Sequence, residues 1–412
     1  MLVLFVVVAA PAVAGAQGVV KLQALVDEAV QRHPTVRGAE RMAAAADEIV
    51  SREGALPDPM LSVGLRNFRV DNPRLSADPM SGVEVMITQD LPFPGKRRRR
   101  AAVASANADT ARSEARVTAV GVSLRVRQAY WRLHFAEEAL GITRDGVDIL
   151  DHLLQITRAR FSVGQAAQQD VFQAVVARGR ALAMLEERKQ MIMTGRRELN
   201  SAVGRSPEAP LGPTEAPPER VLLDPQAITA AASRANPDVL ATTARATTSA
   251  RAVDEASYDR WPDLQVGAGY MFRAAVNGAD MFSANVGVTL PIWMARKQGA
   301  RIREARDSLA AAEAAVEASS LGAQTAVQSA IDTVDRLTRE IALFENEVVP
   351  QAEKAVASGT SEYSVGKTAF VALLQSWQAL LDGELDVARL RSERAQAVAE
   401  IQALVGGPDL ER

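Results

Sequence analysis

The chain reads as a mainly α protein with a small β part, built from a half-domain that is present twice. Three observations predict this. Short motifs return in order at a nearly constant offset: Phe161-Ser162-Val163-Gly164 comes back as Tyr363-Ser364-Val365-Gly366 about 202 positions later, and Ser201-Ala202-Val203-Gly204 as Ala403-Leu404-Val405-Gly406. His33-Pro34 matches Asn236-Pro237, Leu56-Pro57-Asp58 matches Trp261-Pro262-Asp263, and Leu91-Pro92 matches Leu290-Pro291. A repeat this long exceeds a solenoid module and reads as a duplicated half. Next, Lys96 to about Arg160 contains no proline and no cluster of breakers. It therefore reads as one helix of roughly 60 residues, about 90 Å long at 1.5 Å per residue. Finally, Leu61, Val63 and Leu65 alternate with Ser62, Gly64 and Arg66, and Val83, Val85 and Ile87 alternate with Glu84, Met86 and Thr88. That period of two marks strands with two different faces.

Both halves follow one plan. In the first, a helix is expected from about Leu22 to Arg52, with Pro34 near its start. Strands are expected over Met60 to Phe68 and Val83 to Leu91, joined by turn chemistry at Asp71-Asn72-Pro73 and Asp78-Pro79. The long helix follows, then a turn at Ser162-Val163-Gly164 and a return helix from about Ala167 to Ala202. In the second half the helix covers about Asp224 to Ser257, and the strands Leu264 to Phe272 and Phe282 to Leu290. A very long helix then spans about Arg296 to Ser358, and a return helix Thr368 to Val405. The expected division is a signal segment at 1–16, a first repeat at 17–203, a Pro-rich linker at 204–224, a second repeat at 225–406 and a tail at 407–412.

Composition narrows the function classes. The chain has no cysteine, which excludes thiolate nucleophiles, cysteine metal sites and disulfides. Its formal net charge of −3 gives no global basic field for nucleic acid. Met1 to Ala14 is apolar and ends in Ala14-Gly15-Ala16, which reads as a secretory signal; a buried N-terminal helix is the other reading. Beyond Ala16 no apolar stretch approaches the roughly 20 residues of a membrane helix. Helices this long bury their apolar stripes only against one another. Four strands per chain either form small sheets on a soluble scaffold, or are pooled by several chains; three chains would supply twelve, an even number that can close.

Several segments carry a resemblance to a known family. Gln89-Asp90-Leu91-Pro92-Phe93-Pro94-Gly95-Lys96-Arg97, Leu290-Pro291-Ile292-Trp293, and Val349-Pro350-Gln351-Ala352-Glu353 followed by Tyr363-Ser364-Val365-Gly366 resemble the TolC-like family of outer-membrane efflux channels, most of all its heavy-metal-efflux branch. The resemblance implies a homotrimer in the cell outer membrane: a twelve-stranded β-barrel continued by a coiled-coil α-barrel tunnel across the periplasm. It also implies a periplasmic adaptor protein and an inner-membrane pump of the resistance-nodulation-division type as partners. Metal cations are the first expectation for cargo, with drug efflux or type I protein secretion second. A soluble periplasmic coiled-coil adaptor or scaffold is the expectation from a different class.

Within this frame the candidate residues fall into three groups. The resemblance places the turns Phe161, Val163 and Gly164, and Tyr363, Val365 and Gly366, at periplasmic tips where the adaptor docks. Family members carry aspartates shortly after the second turn, where this chain has Ala372 and Gln375; Asp170, after the first turn, is the remaining aperture candidate, with Gln375 as its neutral counterpart. Asp170 also reads as an ordinary acid at a helix N-terminus. Lys96, Arg97 and Arg98, echoed by Arg296 and Lys297, read as membrane-boundary cations that meet outer-membrane lipid. Without interleaved aromatics they make a poor nucleic-acid patch. Gly366-Lys367-Thr368 has the look of a phosphate-loop end, but Ser361 stands where that loop needs glycine and a helix precedes it. Met60, Met80, Met86, Met271, Met281 and Met294 cluster around the strands and fit either a Cu(I) path or lipid-facing apolar positions. His33, His134 and His152 show no ligand spacing. No nucleophile–base pair, carboxylate dyad or cofactor fingerprint is present, so neither an enzyme nor a bound cofactor is expected.

Overall fold

The structure is a computed structural model, and it describes residues 18–67, 70–71, 74–75, 78–218, 224–273 and 280–407. The expected signal segment at 1–16 lies outside the described residues, as do Phe68 and nearly all of the expected tail. The elements run α1 (Leu22–Arg32), α2 (Pro34–Gly54), β1 (Met60–Arg66), β2 (Gly82–Leu91), α3 (Lys96–Ser162) and α4 (Gln168–Val203). The second half repeats them as α5 (Pro225–Ala235), α6 (Pro237–Tyr258), β3 (Asp263–Phe272), β4 (Met281–Thr289), α7 (Gln298–Leu343), α8 (Val349–Ser364) and α9 (Phe370–Leu404). None of the described helices is long and apolar enough to cross a membrane.

Two expected helices are broken, and in the same place in each half. Leu22 to Arg52 is interrupted at His33, and Asp224 to Ser257 at Asn236. The cause is the following proline, which pushes the residue before it out of the helical region: His33 has ψ 129° and Asn236 ψ 124°. Both residues then cap the helix that follows. Asn236 Oδ1 accepts from the amides of Asp238 and Val239 at 3.0 and 3.1 Å, and His33 Nδ1 accepts from the Thr35 amide at 3.2 Å. The long helix of the second half is also modified: a π-helical turn, Phe344–Val348, separates α7 from α8. Pro350, near the start of α8, lacks the amide needed to continue a regular α ladder.

The chain forms two compact units. One comprises Gly38–Thr118 and Ser233–Ala323 and holds all four strands. Their order is β1-β2-β3-β4, each pair antiparallel. The register sorts the side chains by chemistry. Leu61, Val63, Leu65, Val83, Val85, Ile87, Leu264, Val266, Tyr270, Phe272, Phe282, Val286 and Val288 share one face. The other carries Ser62, Arg66, Glu84, Thr88, Asp90, Gln265, Ser283 and Asn285, with every strand glycine: Gly64, Gly82, Gly267, Gly269 and Gly287. A Cβ on Gly267 would lie 2.2 Å from Asn285 Oδ1, so the polar face is crowded at that position. The apolar face is open to the surroundings, with Phe282 71% and Val286 72% exposed. A soluble sheet turns its apolar face toward a core; this one does not.

The other unit comprises Met1–Arg37, Ala119–Ala232 and Gln324–Arg412. Its helices bury apolar residues against one another, as their length requires. Leu150, Leu153, Ala174, Ala352, Phe370, Leu373 and Trp377 form one cluster; Leu25, Val36, Val126, Tyr130, Leu133 and Leu199 form a second. The polypeptide around Thr214 is tied to α3 by side chains. Tyr130 Oη donates to the Val20 carbonyl at 2.7 Å and accepts from the Glu215 amide at 2.6 Å, while Glu137 accepts from the Thr214 amide and hydroxyl. Burial pushes the Tyr130 phenol up to about 12, so it remains a protonated donor across the physiological range.

Candidate functional site

The two repeated turns meet in the second of these units. Each ends its helix in the same way. Gly164 (φ 74°) and Gly366 (φ 80°) adopt the left-handed conformation that a Cβ disfavours, and the amide after each reaches back to the carbonyl five residues earlier, Arg160 and Glu362, at 2.9 Å. The repeated Val-Gly of the sequence is therefore a helix stop.

Between the turns lies a polar cluster. Tyr363 Oη donates to Asp170 Oδ2 at 3.1 Å, linking the end of α8 to the first turn of α4. Arg160, in the last turn of α3, stacks over the Tyr363 ring at 4.6 Å. Its guanidinium also donates to the Tyr363 carbonyl and to the Gln165 carbonyl. Burial, with the Asp170 carboxylate adding to it, holds the Tyr363 phenol above its ordinary value, so it donates at neutral pH. A hydrogen bond to a charged acceptor contributes about 1.5–3 kcal/mol, and the partial exposure of Asp170 puts this one at the low end.

This placement divides the expected docking residues. Phe161, Val163 and Val365 are exposed, at 44%, 66% and 67%, and offer an apolar surface. Tyr363 is 2% exposed and packs on Phe370, with ring centroids 5.4 Å apart. Its ring thus supports the turn from inside and is not presented to a partner. Gln375 is exposed on α9. Arg160 was not singled out from the sequence; its position next to the repeated Phe161 anchor was the available signal.

The expected membrane-boundary cations also divide, in the strand-bearing unit. Lys96 is 6% exposed: its Nζ pairs with Asp263 at 2.9 Å and donates to the Trp261 carbonyl at 2.8 Å. It therefore cannot meet lipid, a correction to the sequence expectation; a lysine with two partners inside the fold has no reason to extend outward. Arg97 donates to the Gly54 carbonyl at 3.2 Å and is likewise held. Arg98, Arg296 and Lys297 are exposed. Around Lys96 the junction is closed by Phe93 stacked on Trp261 at 5.0 Å, by the Phe93 amide donating to Asp263, and by Arg99 over Tyr258 at 3.1 Å. The second half closes its own junction with Arg301 bridging Glu255 and Asp259. The Trp261-Pro262-Asp263 repeat anchor was the sequence signal for this lock. Among the described residues no group of His, Asp and Glu side chains is arranged to hold a metal ion.

Comparison with known proteins agrees with this architecture. The family model described as "Outer membrane efflux protein" matches residues 25–205 and 229–407. The outer membrane efflux protein BepC of Brucella suis is 22% identical over 281 residues, 67% of this chain, and the match spans 60% of that protein's length. Among solved structures, the outer membrane protein VceC of Vibrio cholerae superposes with a TM-score of 0.77 at 18% identity, over 94% of this chain and 96% of its own. CusC, whose structures concern folding and transmembrane channel formation, gives 0.78 at 15% identity, over 94% and 92%. The two superpose on this chain about equally well. A duplicated helical array, a two-faced four-stranded sheet and a family match over both halves lead to one conclusion: the chain belongs to the outer membrane efflux protein family, and is an outer-membrane protein that extends into the periplasm.

Proposed function

We propose that three copies of this chain form a passive exit duct, in which the sheets close into one twelve-stranded barrel and the helices into one tunnel. The observation that carries this is the sheet itself. Within the four-stranded sheet β1 and β4 are edge strands, and they run in opposite directions because each successive pair is antiparallel. The β4 of one copy can therefore pair antiparallel with the β1 of the next, and repetition closes a barrel with an even number of strands. Closure removes both open edges, turns the apolar face to lipid and encloses the polar, glycine-rich face around water. A periplasmic adaptor docks on the exposed Phe161, Val163 and Val365, and an inner-membrane pump of the resistance-nodulation-division type supplies the energy. Exposed Arg98, Arg296 and Lys297 face lipid phosphates at the membrane boundary. Metal cations are the cargo, a reading supported by the resemblance of the segments at Gln89 to Arg97 and Val349 to Gly366 to the heavy-metal-efflux branch.

Two measurements test this reading. The protein should fractionate with the outer membrane as a heat-modifiable trimer; a soluble periplasmic monomer would sink the channel and favour a scaffold. In planar bilayers, Asp170→Ala should lower cation selectivity, and also raise conductance, because it removes both a carboxylate near the tips and the acceptor that ties α4 to Tyr363. Tyr363→Phe should raise conductance while leaving the selectivity. Unchanged selectivity in the Asp170 variant would remove that residue from the aperture.

A further inference from the structure

The strand methionines follow a pattern that membrane insertion does not require. Both faces of the sheet were open to methionine, and the lipid-facing reading expected it on the apolar one. The register places Met60, Met86, Met271 and Met281 all on the polar face, one on each strand. Apart from Gln89, the apolar face uses Val, Leu, Ile, Phe, Tyr and Ala.

They also form a continuous diagonal. Met281 on β4 and Met271 on β3 are direct cross-strand partners. Met86 on β2 stands one same-face level further along, opposite Gly269, and Met60 on β1 one level beyond that, opposite Thr88. Successive levels are two residues, or about 7 Å, apart along a strand. Glycines make the room for this. A Cβ on Gly82 would come within 2.8 Å of Met271 Cγ, and one on Gly269 within 3.5 Å of Met86 Cε. Glu84, directly opposite Met271, places a carboxylate in the run and is itself held by Arg66 and by the Ser283 hydroxyl at 3.3 Å. Met60 is 61% and Met281 39% exposed, so their side chains are open to a visitor.

Thioethers are poor groups for a water-lined wall, where serine or threonine would do. They are good ligands for one class of ion, the soft monovalent d10 cations. We infer that the diagonal Met281–Met271–Met86–Met60 is a run of weak binding positions for Cu(I) or Ag(I). It deepens the proposal above, resting on the reading that the polar face lines the duct. Neutral thioethers in ones and twos bind weakly enough to release, which suits a conduit: entry must be favourable and exit must remain possible.

The test uses the full-length protein in detergent micelles, labelled with 13C at the methionine methyls and titrated with silver nitrate in chloride-free buffer. Met42 and Met193, 75% and 51% exposed on helices, serve as reference thioethers outside the sheet. The expected result is that the methyls of Met271 and Met281 shift with a midpoint at least tenfold below that of Met42 and Met193, with Met86 and Met60 following. Met271→Leu should raise the midpoint of Met281 about tenfold while the remaining methyl spectrum stays in place. If all methionines titrate together, or if Met281 is indifferent to Met271→Leu, the inference is overturned. This readout needs no pump and no transport, so it stands or falls separately from the fractionation result.

Discussion

Trp377→Ala is expected to destabilise the helical unit by about 3–5 kcal/mol, the range for removing a buried tryptophan. Trp377 is 4% exposed, and its Nε1 donates to the Gly146 carbonyl at 3.0 Å. The ring lies where α9 crosses α3, and the close approach depends on Gly146: a Cβ there would meet Leu381 Cδ1 at 3.2 Å and Trp377 Cζ2 at 3.7 Å. Alanine leaves a cavity between two long helices, whose rigidity limits how far the site can collapse. Thermal unfolding in detergent should fall by about 5 °C or more. Trp377→Phe keeps most of the volume and should cost only the hydrogen bond, about 1 kcal/mol. An alanine variant that melts with the wild type would mean that the α3–α9 seam carries little of the stability.

The second large effect is at Lys96. Lys96→Ala should cost about 2–3 kcal/mol and reduce the yield of heat-modifiable oligomer. Removing one partner of a buried ion pair costs about 3–5 kcal/mol. The Asp263 side chain is 37% exposed, so water recovers part of that. The substitution also takes a donor from the Trp261 carbonyl, next to the Phe93–Trp261 stack. Lys96→Met combined with Asp263→Leu should recover only part of the loss: two apolar groups leave no unpaired charge, but the Phe93 amide and the Trp261 carbonyl lose their partners. If Lys96→Ala assembles normally, the junction is held by its aromatic stack and not by the ion pair.

The lock at Lys96 shows how far residue identity alone reaches. A run of five cations from Lys96 to Arg100 reads as one patch. In the fold it is at least three things: Lys96 is buried in an ion pair, Arg99 stacks on Tyr258, and Arg98 remains exposed. The spacing of a helix turns successive residues about 100° apart, so neighbours in sequence face different surroundings. What each meets is set by Trp261, Asp263 and Tyr258, more than 150 positions away. The same holds at the tips. Tyr363 and Phe161 occupy equivalent places in the repeat, yet one is buried and the other exposed, because Arg160 and Phe370 cover only the former.

Local chemistry was nevertheless enough for the architecture. Proline and glycine act on their own backbone and its immediate neighbours, so the breaks at Pro34 and Pro237 and the helix stops at Gly164 and Gly366 were encoded where they occur. A proline is equally at home in the first turn of a helix, so the sequence pattern alone does not distinguish one helix with an early proline from two helices with a cap between them; His33 and Asn236 are such caps. Strand alternation needs only a period of two, and it correctly predicted a sheet with one apolar and one polar face. Whether a given methionine lies on one face or the other follows from parity once the strand is known; that all four lie together, stepping across four strands, depends on register. Register is a relation between strands that are up to about 200 residues apart, and no local rule contains it. By itself the sequence determined the duplicated plan, the element types and the family. The tertiary structure alone decided which cations are partnered, which tip residues are presented, and that four thioethers share one diagonal, because each of these is a contact between distant parts of the chain.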